Sequence, residues 1–485
     1  MKNLKLILFT GIIVLSIASC DNLDGLNTDT KGYETVPASS LLTNAQNSYS
    51  YFLTNASVNS NNFKAYAQQW TGVSYTDEMD YNQTNRNLGG SLAGLLYRDV
   101  LQDLAKAEKL VKEEKALGAV NITVQKNNIS ILEIQTVMVY QTLVDLFGDV
   151  AYSQALDIVK YPTPKYDDAK TIYLDLASRL DSAIANLDSS QGSFGSADII
   201  YNGDVSNWKK LANSVKLKMG LHLVDVDPAK AKSMIESAFT SGVITANSEN
   251  ALFEYFNVPT SQNPLYDSLV NEQQIVPTKL IVNELNTKSD PRRDVYFNPA
   301  SKIGGVYVGA PYAQQAKYSD FSNMGERIKS KTNPGVLFDN AETNFLLADA
   351  ANRGFSVGGT AAEYYEKGIR SSMLYWGVSS ADTNTYLMRA DVAFATASGT
   401  AKEKIADQLW IAYFNRGFEA WTEYRRLDFP ILAAPVTAVA EANGKVPVRN
   451  IYSITDKTLN KDNYNAAAIA IGGDLITTKI FWDKF

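Results

Sequence analysis

Residues 130–147 read SILEIQTVMVYQTLVDLF, and the placement of apolar side chains in this stretch decides the fold class. Ile131, Ile134, Val137, Met138, Leu143, Val144 and Phe147 fall almost all round a 3.6-residue helix, not along one stripe. Such a helix must be covered from every side, so it is expected at the centre of a mainly α body. Its neighbours in the sequence carry the one-sided patterns that could cover it. Residues 88–117 place Leu92, Leu95, Leu96, Val100, Leu104, Ala107 and Val111 at spacings of three and four. Residues 166–187 carry the stripe Ile172, Leu176, Leu180, Ile184 and Leu187, and Trp208, Leu211, Val215, Met219 and Leu223 make the next. Pro228 then stands at a first-turn position and opens a shorter helix ending near Phe239.

The last three helices follow one another through short connections and resemble tetratricopeptide-type helix pairs. No strict repeat of about 34 residues accompanies them, so a regular solenoid is not expected. A helix after Pro37 reaching about Asn55 precedes this group, and 340–353 and 361–376 form an αα-hairpin across the glycines 354, 358 and 359. Residues 402–424 add one or two more. Between about 242 and 340 the period is lost, and seven prolines from Pro259 to Pro334 punctuate short β-like runs such as 251–256 and 303–308. A stretch this irregular inside a large body is expected to carry function of its own. From Phe429 the chain is expected to wrap the body. The domain plan is one helical domain over 37–485, with a loop-rich insert at about 242–340.

The N-terminus is of another kind. Lys2 and Lys5 precede an apolar run, 6–18, too short to span a bilayer as a stable helix; small residues then lead into Cys20, the sole cysteine. This is the plan of a lipoprotein signal: residues 1–19 removed, Cys20 acylated, and 20–36 a polar tether. No later stretch reads as apolar enough to cross a membrane. Without residues 1–19 the chain has 43 basic and 52 acidic residues, a net charge of −9, which disfavours nucleic acid as a partner. An acylated Cys20 leaves no thiol for a disulfide, a nucleophile or a metal. His222 is the single histidine, and it lies on the Met219 stripe, where a core role is expected. No GxSxG, HExxH, Walker or GxGxxG sequence is present, and neither a metal nor another cofactor is expected.

Several segments together are similar to one known family. Residues 134–152 (IQTVMVYQTLVDLFGDVAY) resemble the helix ending in FGDVPY of the SusD/RagB family of nutrient-binding outer-membrane lipoproteins. Residues 340–353 (NAETNFLLADAANR) are similar to its AExxLLxAEA helix. Gly417-Phe418-Glu419-Ala420-Trp421 with Tyr424-Arg425-Arg426 resembles its GxEAWxEWRR element. Asp290-Pro291-Arg292 matches its DPR turn, and Asn463-Tyr464-Asn465 with 478–485 its C-terminal signature. Ala151 departs from the usual proline and Tyr424 from the usual tryptophan. The resemblance covers nearly the whole chain. It implies a lipid-anchored, surface-exposed protein of a Bacteroidetes outer membrane, docked on a SusC-like TonB-dependent transporter. Such proteins capture oligosaccharides, or peptides in some members, and pass them to the barrel.

Two segments are candidates for ligand contact. Residues 68–86 (QQWTGVSYTDEMDYNQTNR) break the helical period and place Trp70, Tyr75, Tyr81 and Asn82 among polar residues. Sugar rings offer CH-rich faces to aromatic rings and hydroxyls to amides and carboxylates, so this mixture suits them. The opposing reading puts Trp70 and Tyr75 on the core. Residues 304–321 (GGVYVGAPYAQQAKYSDF) add Tyr307, Tyr312 and Tyr318, with glycines that permit tight turns; a structural role or transporter contact is the alternative. Asp77 and Asp80 could serve as a glycosidase acid and base, but 52 carboxylates produce such pairs by chance. Trp208, Trp376, Trp410 and Trp421 lie on helical stripes and belong with the core. The expected function is non-catalytic capture of a glycan, with peptide capture or an anchored glycoside hydrolase as the alternatives.

Overall fold

A computed structural model describes residues 36–300 and 304–485. The signal segment, Cys20 and the tether up to residue 35 lie outside the described residues. Residues Ala38–Phe485 form one unit.

The apolar stretch is the second half of a 29-residue helix, Ala119–Phe147 (α1), about 43 Å long at 1.5 Å per residue. From Ser130 onward its side chains are nearly all buried, including Ile131, Ile134, Val137, Leu143 and Val144 at 0% exposure. By length and composition this helix could cross a membrane, contrary to the expectation that nothing after Cys20 could. Its apolar window is 83% buried inside the protein, so neighbouring helices take the place of lipid.

Those neighbours are the striped helices. Ala169–Asn186 (α2) packs on α1 through Ile172, Leu176, Leu180 and Ile184 and is capped by Asp168, which accepts from Thr171 N at 2.7 Å. Val205–His222 (α3) starts at the Asp204 cap and pairs with Pro228–Ser241 (α4), where Pro228 occupies the first turn after the Asp227 cap. Gly220 sits at their contact: a Cβ there would stand 2.8 Å from Ile235. Asn340–Asn352 (α5) and Ala361–Trp376 (α6) form the expected hairpin, with α6 opened by a Thr360–Glu363 capping box. Ala401–Ala412 (α7) and Gly417–Leu427 (α8) complete the set.

Ala38–Thr54 packs against the helical run 88–113, in which Leu95–Leu101 is wound as a π-helix. Among the described residues the strands are short and form four antiparallel pairs. One of these pairs, Trp70–Gly72 (β1) with Ile275–Pro277 (β2), fastens the irregular region 242–340 to the first third of the chain.

The segment after Phe429 does wrap the body, and together with Arg425 of α8 it closes the open end of α1. A helix leaves its last carbonyls unsatisfied. Here Arg425 donates to Asp145 O at 2.7 Å, Asn450 N to Leu146 O at 2.8 Å and Arg449 Nε to Phe147 O at 2.7 Å. Trp482 Nε1 adds a bond to the Asp145 carboxylate at 2.8 Å. Two guanidinium groups at a helix C-terminus also meet the negative end of its dipole. The motifs that carried the family resemblance serve this packing. Arg292 and Asp290 of the DPR turn are fully buried and joined at 2.6 Å, and Gln408 accepts from Arg292 at 2.8 Å.

Candidate functional site

The segments 68–86 and 304–321 meet. β1 brings Gln69 O to Thr278 N at 3.0 Å, and the second loop continues the pairing: Ala310 N donates to Pro277 O at 3.0 Å and Ala316 N to Val73 O at 2.9 Å. Val73, Val276 and Ala310 form a small apolar centre on which Tyr318 and Phe321 rest. Ala65, Met79 and Ala313 form a second, covered by Tyr312. The approach is close enough to require glycine. A Cβ on Gly309 would stand 2.2 Å from Thr278 O, and one on Gly72 would stand 2.4 Å from Tyr75 O. A third segment joins from the C-terminal wrap: Gln68 Nε2 donates to Ala433 O at 2.6 Å, Val439 N to Asp80 O at 2.8 Å, and Thr437 to the Asp80 carboxylate.

The aromatic residues of the first loop divide sharply. Trp70 is 2% exposed, packs on Phe414 and Lys64, and donates its indole N–H to Phe414 O at 3.1 Å. Tyr81 is 1% exposed, between Tyr66 and Tyr312. Both were expected among the stacking residues; both are core residues with no ring face open to a ligand. Burial raises the Tyr81 and Tyr312 hydroxyls above the ordinary tyrosine range, so they stay protonated, and Tyr312 leans toward Met79 O at 3.5 Å. Tyr75, by contrast, is 66% exposed.

Asn82 is half-buried and uses Oδ1 to hold the turn after it, accepting from Thr84 N at 3.1 Å and Asn85 N at 3.0 Å. Its Nδ2 has no partner among the described residues and remains available as a donor. Gln314, Gln315 and Lys317 are exposed on the second loop. The two loops thus present one exposed tyrosine, Tyr75, the half-buried tyrosines 312 and 318, and amides at Asn82, Gln314 and Gln315.

Tyr307 is not part of this grouping. It lies under the Arg293 guanidinium, 4.5 Å from the ring centroid, and its carbonyl accepts from Asn286 at 3.1 Å. Asp77 and Asp80 share one 3₁₀ turn; Asp77 is exposed and Asp80 is held by Thr437. His222 is buried, with Nδ1 2.7 Å from Tyr173 OH and its ring 4.6 Å from that of Trp482, as a core residue would be. Trp208, Trp376, Trp410 and Trp421 are buried as well.

Two contributors escaped the sequence reading. The 430–443 segment supplies part of the face, and nothing in its composition points to Asp80. Lys64 is the other. Its ammonium is buried, donates to Thr54 O and Asn55 O at 3.0 Å each, and lies 5.4 Å from the Trp70 ring centroid. Burial pulls its pKa down to about 7.

Among solved structures, a chitin-binding protein shares 27% identity with this chain at a TM-score of 0.80, covering 92% of this chain and 100% of its own. A SusD homologue from Bacteroides uniformis gives 26% and 0.76, with 92% and 99% covered. A chitin-binding SusD homologue from Flavobacterium johnsoniae gives 23% and 0.76, with 92% and 97% covered, a likeness of fold. No curated protein matches the sequence. The SusD-like family described as "Starch-binding associating with outer membrane" matches residues 30–453. A helical body of this kind, DPR and GFEAW motifs built into its core, and a match across most of the sequence lead to one conclusion: the chain belongs to the SusD-like family.

Proposed function

We propose that this protein captures oligosaccharides at the outer membrane without catalysing their cleavage, on the face built from the 73–86 and 304–321 loops. The observation that carries this reading is Tyr75. A tyrosine 66% exposed, on a turn backed by a packed aromatic layer, presents a rigid ring at low entropic cost. Asn82 Nδ2 and the exposed Gln314 and Gln315 supply hydrogen-bonding groups for hydroxyls beside it. The family description and the chitin-binding relative point to glucan and chitin fragments as the first ligands to try. Acylation at Cys20 would tether the protein to the membrane, and a SusC-like TonB-dependent transporter would receive the cargo. Peptide cargo and glycoside hydrolysis are the readings to be tested against this one.

Calorimetry on the detergent-solubilised full-length protein with malto- and chito-oligosaccharides tests the reading. Binding of one class, weakened in Tyr75→Ala with no product released, supports it. Binding of peptides alone, or release of shortened sugars, overturns it. Copurification of a β-barrel in mild detergent tests the partner, and loss of palmitate-analogue labelling in Cys20→Ser tests the anchor.

A further inference from the structure

A second concavity shares no residue with the loop face. It is a cavity of about 700 Å³ lined by the helical run after Leu88, the connection 151–166, and the segment 452–460. Small residues keep it open. Ala93 and Gly94 line it, and a Cβ on Gly94 would meet nothing within 4 Å. Tyr97, Tyr166 and Tyr452 line it too, the last two edge to face with centroids 4.9 Å apart.

The hydroxyls of these tyrosines are already committed to the protein. Tyr97 donates to Ala151 O, Tyr452 to Asp149 O at 2.9 Å, and Tyr166 to Oδ2 of Asp456. What remains for a ligand is aromatic wall and two carboxylates, the exposed Asp157 and the half-buried Asp456. Among the described residues the Asp456 carboxylate accepts from Tyr166 alone and pairs with no cationic side chain. Its neighbour Lys457 reaches Asp474 instead, at 3.9 Å. Arg98 also lines the cavity, but Asp99 engages it through two bonds of 2.6 and 2.8 Å. Desolvation raises the Asp456 carboxyl, the cost of holding an acid in an apolar recess without a counter-charge. A neutral ligand would gain the ring contacts and leave that acid unpaired. A cation would use both, because ring faces carry negative potential and the carboxylate a full charge.

We propose that this cavity binds the ammonium group of an organic cation, held between the Asp456 carboxylate and the rings of Tyr97 and Tyr166; the Tyr452 ring is already taken by the Arg449 guanidinium, 4.5 Å from its centroid. The ammonium could belong to an amino sugar with a free amine or to a lysine side chain, and the chemistry of recognition is the same. The test is calorimetry on full-length protein in detergent with three probes: a glucosamine oligomer, its fully N-acetylated counterpart, and a short lysine peptide with blocked ends. A free-amine probe should bind at least about tenfold more tightly than the acetylated one. Whichever amine binds identifies the source.

Asp456→Asn, which keeps an acceptor for Tyr166, should lower that affinity at least about tenfold. Gly94→Leu, which fills the cavity and leaves the charge, should abolish binding. All three probes are measured in the Tyr75→Ala background, which weakens the loop face so that the preference for an amine reports on this cavity. Equal affinity for amine and acetylated probes overturns the proposal, as does absence of binding by both amines. Wild-type affinity in folded Asp456→Asn or in Gly94→Leu does so as well.

Discussion

Trp70 and Tyr75 stand in the same loop, yet the first ring is 2% exposed and the second 66%. The difference is made by distant partners, the strand β2 and Phe414, the latter 344 residues away. β1 pairs with β2, Thr71 is tied to Ala313 of the second loop, and the Trp70 ring is covered by Phe414 and Lys64, while the chain past Val73 turns outward. An aromatic residue in a polar, aperiodic segment therefore says little about exposure until its long-range strand partner is known. The inner half of this loop is core that happens to lie in a loop. The outer half is surface held in place by that core.

The largest effect that could break this division is Trp70→Ala. It should cost about 3–5 kcal/mol of stability, as large core truncations do, and urea denaturation checks it. A loss below about 0.5 kcal/mol, the range of ordinary surface changes, would show that Trp70 is not core. Gly72→Ala comes next. The added Cβ must displace the Tyr75 carbonyl, so stability should fall by about 1–3 kcal/mol and sugar affinity should fall with it. Unchanged affinity in a destabilised variant would uncouple the two halves.

Lys64, beneath Trp70, sharpens the comparison through pH. Its folded pKa lies near 7 against an ordinary 10.5, so between those values the unfolded chain binds more protons. The opposition Lys64 makes to folding is complete below about pH 7 and disappears as pH rises toward 10.5. Wild type should accordingly gain stability relative to Lys64→Met between pH 6 and pH 10, in denaturation curves run on both proteins. A pH-independent difference would refute the assignment. The smallest stability effect belongs to Tyr75→Ala, within about 0.5 kcal/mol of wild type. Its sugar affinity should fall by about 1–3 kcal/mol, by analogy with stacking on bases.

The helical body was legible because apolar spacing is local information. Ile172, Leu176, Leu180 and Ile184 name a buried face without any knowledge of what covers it. The start of α1 was not legible. Residues such as Asn121, Ile122 and Lys126 in its first turns are exposed and carry no stripe, so the helix extends eleven residues before the apolar run. The family motifs were legible as markers, but their role was hidden: Arg292 reads as a surface charge until Asp290 and Gln408 are seen around it. The site was half legible. The two loops were found from composition, but which tyrosines project depends on Thr278, Ala310 and Ala433, distant residues that no local pattern connects to them.

The closing of α1 by Arg425, Arg449 and Trp482 has a consequence for the order of assembly. These partners lie 280, 302 and 337 residues downstream of the groups they satisfy. A ribosome working from the N-terminus exposes the apolar second half of α1 long before it makes the residues that finish it. Until then Ile131–Phe147 is a sticky segment in want of a chaperone, and the native state becomes reachable only after most of the polypeptide exists.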